Sequence, residues 1–227
     1  MKLRFSGNAA GRSQPDPYIF KAEGKYYIYA TGRDGVQIYR ADSPFGEWEY
    51  LGIGLSEEGC HEYWAPCVVP EGGRYYMYYS SFPSDSADVH EQAVKVAVSD
   101  RPDGGFRFVK TMLPPFSIDP HVVRSGGDWY IFYSVNDYTA ERQGTYIVVD
   151  KMTDMLIPSP SSARPWTKRS FGATALKREN TGTRSKGRFI SASATTISAC
   201  IRAIVTKTNT ISSAMRTRAG RRTTSGN

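Results

Sequence analysis

The chain has 227 residues and a formal charge of +7, room for one sizeable domain and a balance that on its face suggests a nucleic-acid partner. Counted by region, that suggestion fails: residues 1–156 hold 15 Lys/Arg against 21 Asp/Glu, a net of −6, whereas residues 157–227 hold 14 Lys/Arg against the single Glu179, a net of +13. All 15 tyrosines lie at or before Tyr146, so two kinds of sequence are joined in one chain.

The first predicted element is DPYIFKAEGKYYIYATG from Asp16, a short apolar run, a Gly-containing turn, then alternating aromatic and aliphatic residues. Period-two alternation of β-favouring side chains about a turn predicts a β-hairpin. A second hairpin follows in VQIYRADSPFGEWEYLG from Val36. The pattern then returns as APCVVPEGGRYYMYYS from Ala65 with VKVAVSDRPDGGFRFVK from Val94, and again as DPHVVRSGGDWYIFYS from Asp119. TYIVVDKMTDM from Thr145 begins a last hairpin and loses its pattern. Aligned on Pro17, Pro66 and Pro120, the three copies place Gly24, Gly73 and Gly127 at one offset and Tyr26, Tyr75 and Trp129 at another, without a gap.

Four strands repeating at intervals of 49 and 54 residues predict the blades of a β-propeller. An immunoglobulin-like sandwich also has many short strands but gives no reason for a gapless repeat. The fold class predicted is therefore all-β, a partial propeller of about three four-stranded blades over residues 1–156. A propeller's innermost strands line a central channel, so Asp16 and Asp119, just before equivalent strands, are predicted to meet at one mouth. Two carboxylates there form a pair suited to acid/base work on a glycosidic bond. The competing reading is that Asp-Pro merely starts a strand. Ala65 holds the same position in the second blade, so the turn itself does not demand an aspartate.

These residues resemble glycoside hydrolase family 43, the five-bladed propellers that include β-xylosidases, α-L-arabinofuranosidases and arabinanases. The resemblance rests on the Asp16 segment, on YWAP in the second blade and on SIDPHVVRSGGDWYIFYS in the third, over roughly residues 14–156. It implies hydrolysis of O-glycosyl bonds in xylose- or arabinose-containing carbohydrates by an inverting single displacement. Asp16 takes the role of general base, and Asp119 that of the aspartate that orients the acid and raises its pKa. Inversion needs base and acid about 6.5–9.5 Å apart, to seat a water. Trp64, in YWAP, is read as a platform for a sugar face, with a core tryptophan between blades as the equal alternative. His61 and Glu62 either face the cleft or belong to a solvated loop. The family often carries a calcium ion near its axis, but no residues here match its site, and no cofactor is expected.

The resemblance also implies a general-acid glutamate in a Glu-Gly-Pro motif of a fourth blade, and no such motif is present. Glu179, in LKRENTG, has neither the Gly-Pro sequel nor a following strand. Residues 157–227 carry 23 Ser/Thr and only Trp166, Phe171 and Phe189 as aromatics, too little to pack two further blades. A largely disordered, basic tail is predicted, with no nucleic-acid signature beyond phosphate attraction. A shift of reading frame accounts for it. If each intended codon takes the last base of one codon and the first two of the next, TGTRSKGR over residues 181–188 permits Trp-His-Thr-Ile-Glu-Gly-Pro. Trp166 followed by Thr167 then allows only Asp. The tail is read as an out-of-frame translation of the missing blades, beginning between about Met155 and Pro165. The chain as it stands is then an impaired hydrolase, or a non-catalytic remnant that binds sugar or does not fold. An open propeller exposes sheet faces, so aggregation is expected.

Three cysteines, Cys60, Cys67 and Cys200, form no disulfide framework and lack zinc-ligand spacing. Residues 1–12 lack the apolar stretch of a signal peptide, and no run reaches the roughly 18 apolar residues of a membrane span. The sequence thus reads as cytoplasmic, with a carbohydrate as its partner and neither nucleic acid nor membrane.

Overall fold

The computed structural model describes residues 3–6, 11–137 and 144–158. Glu179, Cys200, the shifted-frame segment and the tail from residue 159 onward lie outside the described residues.

Among the described residues, thirteen strands form three sheets. The first contains β1 (Arg4–Ser6), β2 (Tyr18–Ala22), β3 (Lys25–Ala30), β4 (Val36–Ala41) and β5 (Glu47–Leu55), in the order β1-β5-β4-β3-β2. The second runs β6 (Cys60–Glu71), β7 (Arg74–Pro83), β8 (Ala93–Ser99) and β9 (Arg107–Thr111). The third runs β10 (Ser117–Ser125), β11 (Asp128–Asp137), β12 (Gly144–Asp154) and β13 (Ile157–Pro158). Strands β2 to β5, β6 to β9 and β10 to β13 each form an antiparallel meander that closes before the next begins, the blade pattern of a partial propeller. One strand was not foreseen: β1 adds to blade one, parallel to β5, with Phe5 opposite Trp48. Three residues without alternation give no readable period, yet β1 covers an edge that would otherwise offer unpaired amides. The last hairpin of blade three is completed by β13, two residues long.

The shared glycine offset has a backbone cause. Ala22 pairs with Lys25, Glu71 with Arg74 and Ser125 with Asp128, so each inner hairpin turns on two residues. Both turn residues have positive φ in every blade: 51° and 76° at Glu23 and Gly24, 58° and 76° at Gly72 and Gly73, and 61° and 94° at Gly126 and Gly127. This is the left-handed pair that matches strand twist, which glycine adopts without a Cβ clash.

The core lies between blades. Tyr27, Tyr29, Val36, Ile38 and Leu55 of blade one and its link meet Tyr63, Val68, Met77, Tyr79 and Ala97 of blade two. Cys67, Val69, Tyr78, Val94 and Val96 meet Val122, Ile131, Tyr133, Val135 and Met152 of blade three. Tyrosine suits these seams because its ring fills the gap while its hydroxyl reaches a partner across it. The Tyr29 hydroxyl donates to the Pro102 carbonyl at 2.7 Å, and that of Tyr78 to the Met155 carbonyl at 2.7 Å. On β12, Ile147 and Val149 remain 49% and 37% exposed, on a blade face with no core cluster of its own. Among the described residues no helix is long and apolar enough to cross a membrane.

Candidate active site

Asp16, Ala65 and Asp119 share more than a sequence offset. Each precedes a proline, and each has positive φ, at 49°, 44° and 54°. A left-handed conformation is costly for a residue with a Cβ. Where the position lies inside a strand, the ladder shifts register around it: between Trp64 and Cys67 on β6, and between Ile118 and His121 on β10. The Xaa-Pro pair therefore builds a kink into the innermost strand, and such irregularities re-aim side chains.

Two residues further on, the three blades meet at the axis. The Tyr18 ring lies edge-on to that of His121 at 5.9 Å. Tyr18 also packs against the cluster that holds Cys67, whose sulfur accepts the Val122 amide at 3.4 Å. Burial is the main cause that pushes the Cys67 thiol up to about 12, so this cysteine is an inert axial side chain. Tyr18, Cys67 and His121 thus form a layer directly beside the Asp16, Ala65 and Asp119 positions. That layer was legible in principle, since all three share one repeat offset.

The two aspartates are held differently. Asp16 Oδ2 accepts the Thr31 hydroxyl at 3.0 Å, and the same Thr31 oxygen accepts the Ala65 amide at 2.9 Å. Asp119 is 9% exposed, and its Oδ2 is buried without a hydrogen-bond partner. Burial, and then the negative charge of Asp16, push the Asp119 carboxyl up to about 7. The structure therefore places the carboxylates within electrostatic reach of each other, one hydrogen-bonded and one desolvated. A carboxyl titrating near neutrality can hold or release a proton at working pH.

Trp64 is half-buried and belongs to none of the three apolar clusters. Its indole N–H donates to Glu62 Oε2 at 3.0 Å. Glu62 is itself in a left-handed conformation, with φ 54°. Its amide donates to the Arg33 carbonyl at 2.7 Å, and its carbonyl accepts the amide of buried Gln92 at 2.9 Å. His61 packs on Phe82 at 4.4 Å between ring centres, with Nε2 buried and unpartnered. Gln92 had no signal in the sequence and Thr31 only a hydroxyl offset shared with Ser80 and Ser134, because both roles depend on contacts between blades. Among the described residues no group of three or more His, Cys, Asp or Glu side chains could hold a metal ion.

Comparison with known proteins fits this geometry. The family model "Glycosyl hydrolases family 43" matches residues 8–171. This chain belongs to family 43. Its match runs past residue 156, where the acidic, tyrosine-rich region ends. A probable arabinan endo-1,5-alpha-L-arabinosidase C of Aspergillus niger is 30% identical over 160 residues, 65% of this chain and 48% of that protein. The crystal structure of a thermostable family-43 glycoside hydrolase superposes with a TM-score of 0.55 at 27% identity, over 63% of this chain and 49% of that one. The crystal structure of an endo-1,4-beta-xylanase from Bacteroides thetaiotaomicron does so at 0.53 and 27%, over 65% and 50%. The family 43 chain described here thus spans about half the length of these relatives or less.

Proposed function

We propose that this family 43 chain derives from a hydrolase of pentose-containing polysaccharide fragments, with α-1,5-linked arabinan as the favoured substrate class. The observation that carries this reading is the Asp16–Asp119 pair, at equivalent kinks of blades one and three and in two different electrostatic states. The names of the matched curated relatives, arabinan endo-1,5-alpha-L-arabinosidases, favour arabinan over xylan.

In this reading Asp16 takes a proton from water as that water attacks the anomeric carbon on the face opposite the leaving group. Asp119 orients the acid and raises its pKa, and with its own carboxyl pushed up to about 7 it is about half ionised at neutrality. Trp64, turned by Glu62, presents its ring to a sugar. Protonation of the leaving oxygen falls to a glutamate that no described residue supplies. General acid catalysis contributes roughly 10²–10⁴-fold, so the chain is expected to cleave activated aryl glycosides slowly and natural oligosaccharides hardly at all.

The experiment compares the full chain with Asp16→Ala on 2,4-dinitrophenyl α-L-arabinofuranoside, the matching β-xyloside, linear arabinotriose and xylotriose. Aryl arabinoside turnover that disappears in Asp16→Ala supports the reading. No turnover above the variant on either aryl glycoside refutes it, and sugar binding without turnover indicates a non-catalytic remnant. Sequencing the gene around codons 155–166 tests the frame shift, and a stop codon or a non-blade sequence in the shifted frame would sink that part.

A further inference from the structure

Each of the three repeats carries a hydroxyl at one offset, just after its second strand in blade one and within that strand in blades two and three. Thr31, Ser80 and Ser134 all stand 14 residues after the proline of their own blade. Across each hairpin they face the residue that precedes the kink. The Thr31 amide donates to the Pro15 carbonyl at 3.0 Å, Ser80 pairs with Trp64, and Ser134 pairs with Ile118. The fold therefore delivers a hydroxyl to one place beside Asp16, Ala65 and Asp119 in turn.

Among the described residues, both partners of that hydroxyl are present only in blade one. Thr31 Oγ1 lies 3.0 Å from Asp16 Oδ2 and 2.9 Å from the Ala65 amide nitrogen. A hydroxyl can give or take a hydrogen bond, but a backbone amide can only give one. With the Ala65 N–H occupying a lone pair of Oγ1, the Thr31 proton is left to point at the Asp16 carboxylate. In blade two the matching kink residue, Ala65, has no carboxylate, and Ser80 Oγ is buried without a partner. In blade three Ser134 Oγ and Asp119 Oδ2 are both buried and both unpartnered.

We propose that Thr31 is a positioning residue for Asp16: its hydroxyl, aimed by the backbone of blade two, fixes the rotation of the carboxylate and stabilises its charged form. The proposal rests on the reading of Asp16 as general base, but its physical content is separable from that role. A hydrogen bond from a neutral donor to a charged acceptor is stronger than one between neutral groups. The contact also ties the base to the neighbouring blade, so the base is set only when blades one and two are seated together.

The test follows the Asp16 carboxyl carbon of the full chain by ¹³C NMR in light and heavy water, where a hydroxyl that donates to a carboxylate imposes a deuterium isotope shift. The shift is expected in the unmutated chain, so variants that fail to fold do not remove the test, and its absence overturns the proposal. Thr31→Val, which keeps the shape and removes the hydroxyl, is expected to abolish the shift; Thr31→Ser restores it, and Ser80→Ala, whose hydroxyl faces no carboxylate, leaves it in place. A shift that persists in Thr31→Val, or a Thr31→Ser variant that lacks it as Thr31→Val does, overturns the proposal. Should the chain hydrolyse no aryl glycoside while these shifts appear, the assignment of Asp16 as base fails and the role of Thr31 in setting its charge stands.

Discussion

Replacing Asp119 by asparagine removes an ionisation that the fold opposes while keeping the shape of the side chain. Burial and the charge of Asp16 raise this carboxyl from 3.8 to about 7. Each unit corresponds to about 1.36 kcal/mol, so ionising Asp119 in the folded chain costs about 4 kcal/mol more than ionising it in the unfolded chain. The sign follows from proton binding. Because the folded pKa lies above the unfolded one, the stabilisation is fully present below about pH 4 and is lost as pH rises through about 7. Above that window Asp119→Asn should be the more stable form by up to about 4 kcal/mol, less whatever a buried amide costs in the same place. Below pH 4 the advantage vanishes. Urea unfolding of both chains from pH 4 to 9, with free energies differenced at each pH, provides the assay. Two parallel curves would show that Asp119 ionises without penalty and would refute the account of its burial. A gain of stability joined to a loss of hydrolysis would mark the charge as a functional cost held in the fold.

Asp16→Asn should lower the Asp119 midpoint below about 7 yet leave it above the usual carboxylate range, because burial, the larger cause, remains; NMR titration of Asp119 reads this directly. In the same variant aryl glycoside turnover should fall by roughly 10²–10⁴-fold. Trp64→Ala should raise KM for arabino-oligosaccharide or aryl arabinoside several-fold, from a lost contact of about 1 kcal/mol, with a smaller change in kcat. Steady-state kinetics beside Trp64→Phe separates a stacking role from a packing one. Ile147→Lys with Val149→Lys should reduce self-association in light scattering, because both side chains lie on an exposed sheet face, and unchanged scattering would locate the association elsewhere.

Much of the blade plan was open to reading because it is local. Alternating aromatic and aliphatic residues at Tyr26 to Ala30 or Tyr75 to Tyr79 encode a strand apolar on both faces, and the shared Gly24, Gly73 and Gly127 encode a two-residue turn with positive φ. The kink at Asp16, Ala65 and Asp119 was visible as a repeated Xaa-Pro. Its conformation was not, since the residue before proline usually favours extended backbone. β1 escaped because its pairing with β5 depends on residues more than forty positions away. Thr31 looked like the end of a strand, and only the approach of the Ala65 amide makes its hydroxyl a directed donor. Glu62 was noted beside Trp64, but its grip on the indole became apparent only once Arg33 and Gln92 held its backbone.

The sequence alone determined the period, and with it the number of blades and the positions able to reach a common channel. Those properties follow from side-chain alternation and turn chemistry, which act over a few residues. Which carboxylate is solvated and which is desolvated could not be read the same way, because Asp16 and Asp119 sit in nearly identical words of sequence, each an Asp-Pro. Tertiary structure separated them by giving one a hydroxyl from its own blade aimed by the next, and by enclosing the other beside a like charge with no donor in reach.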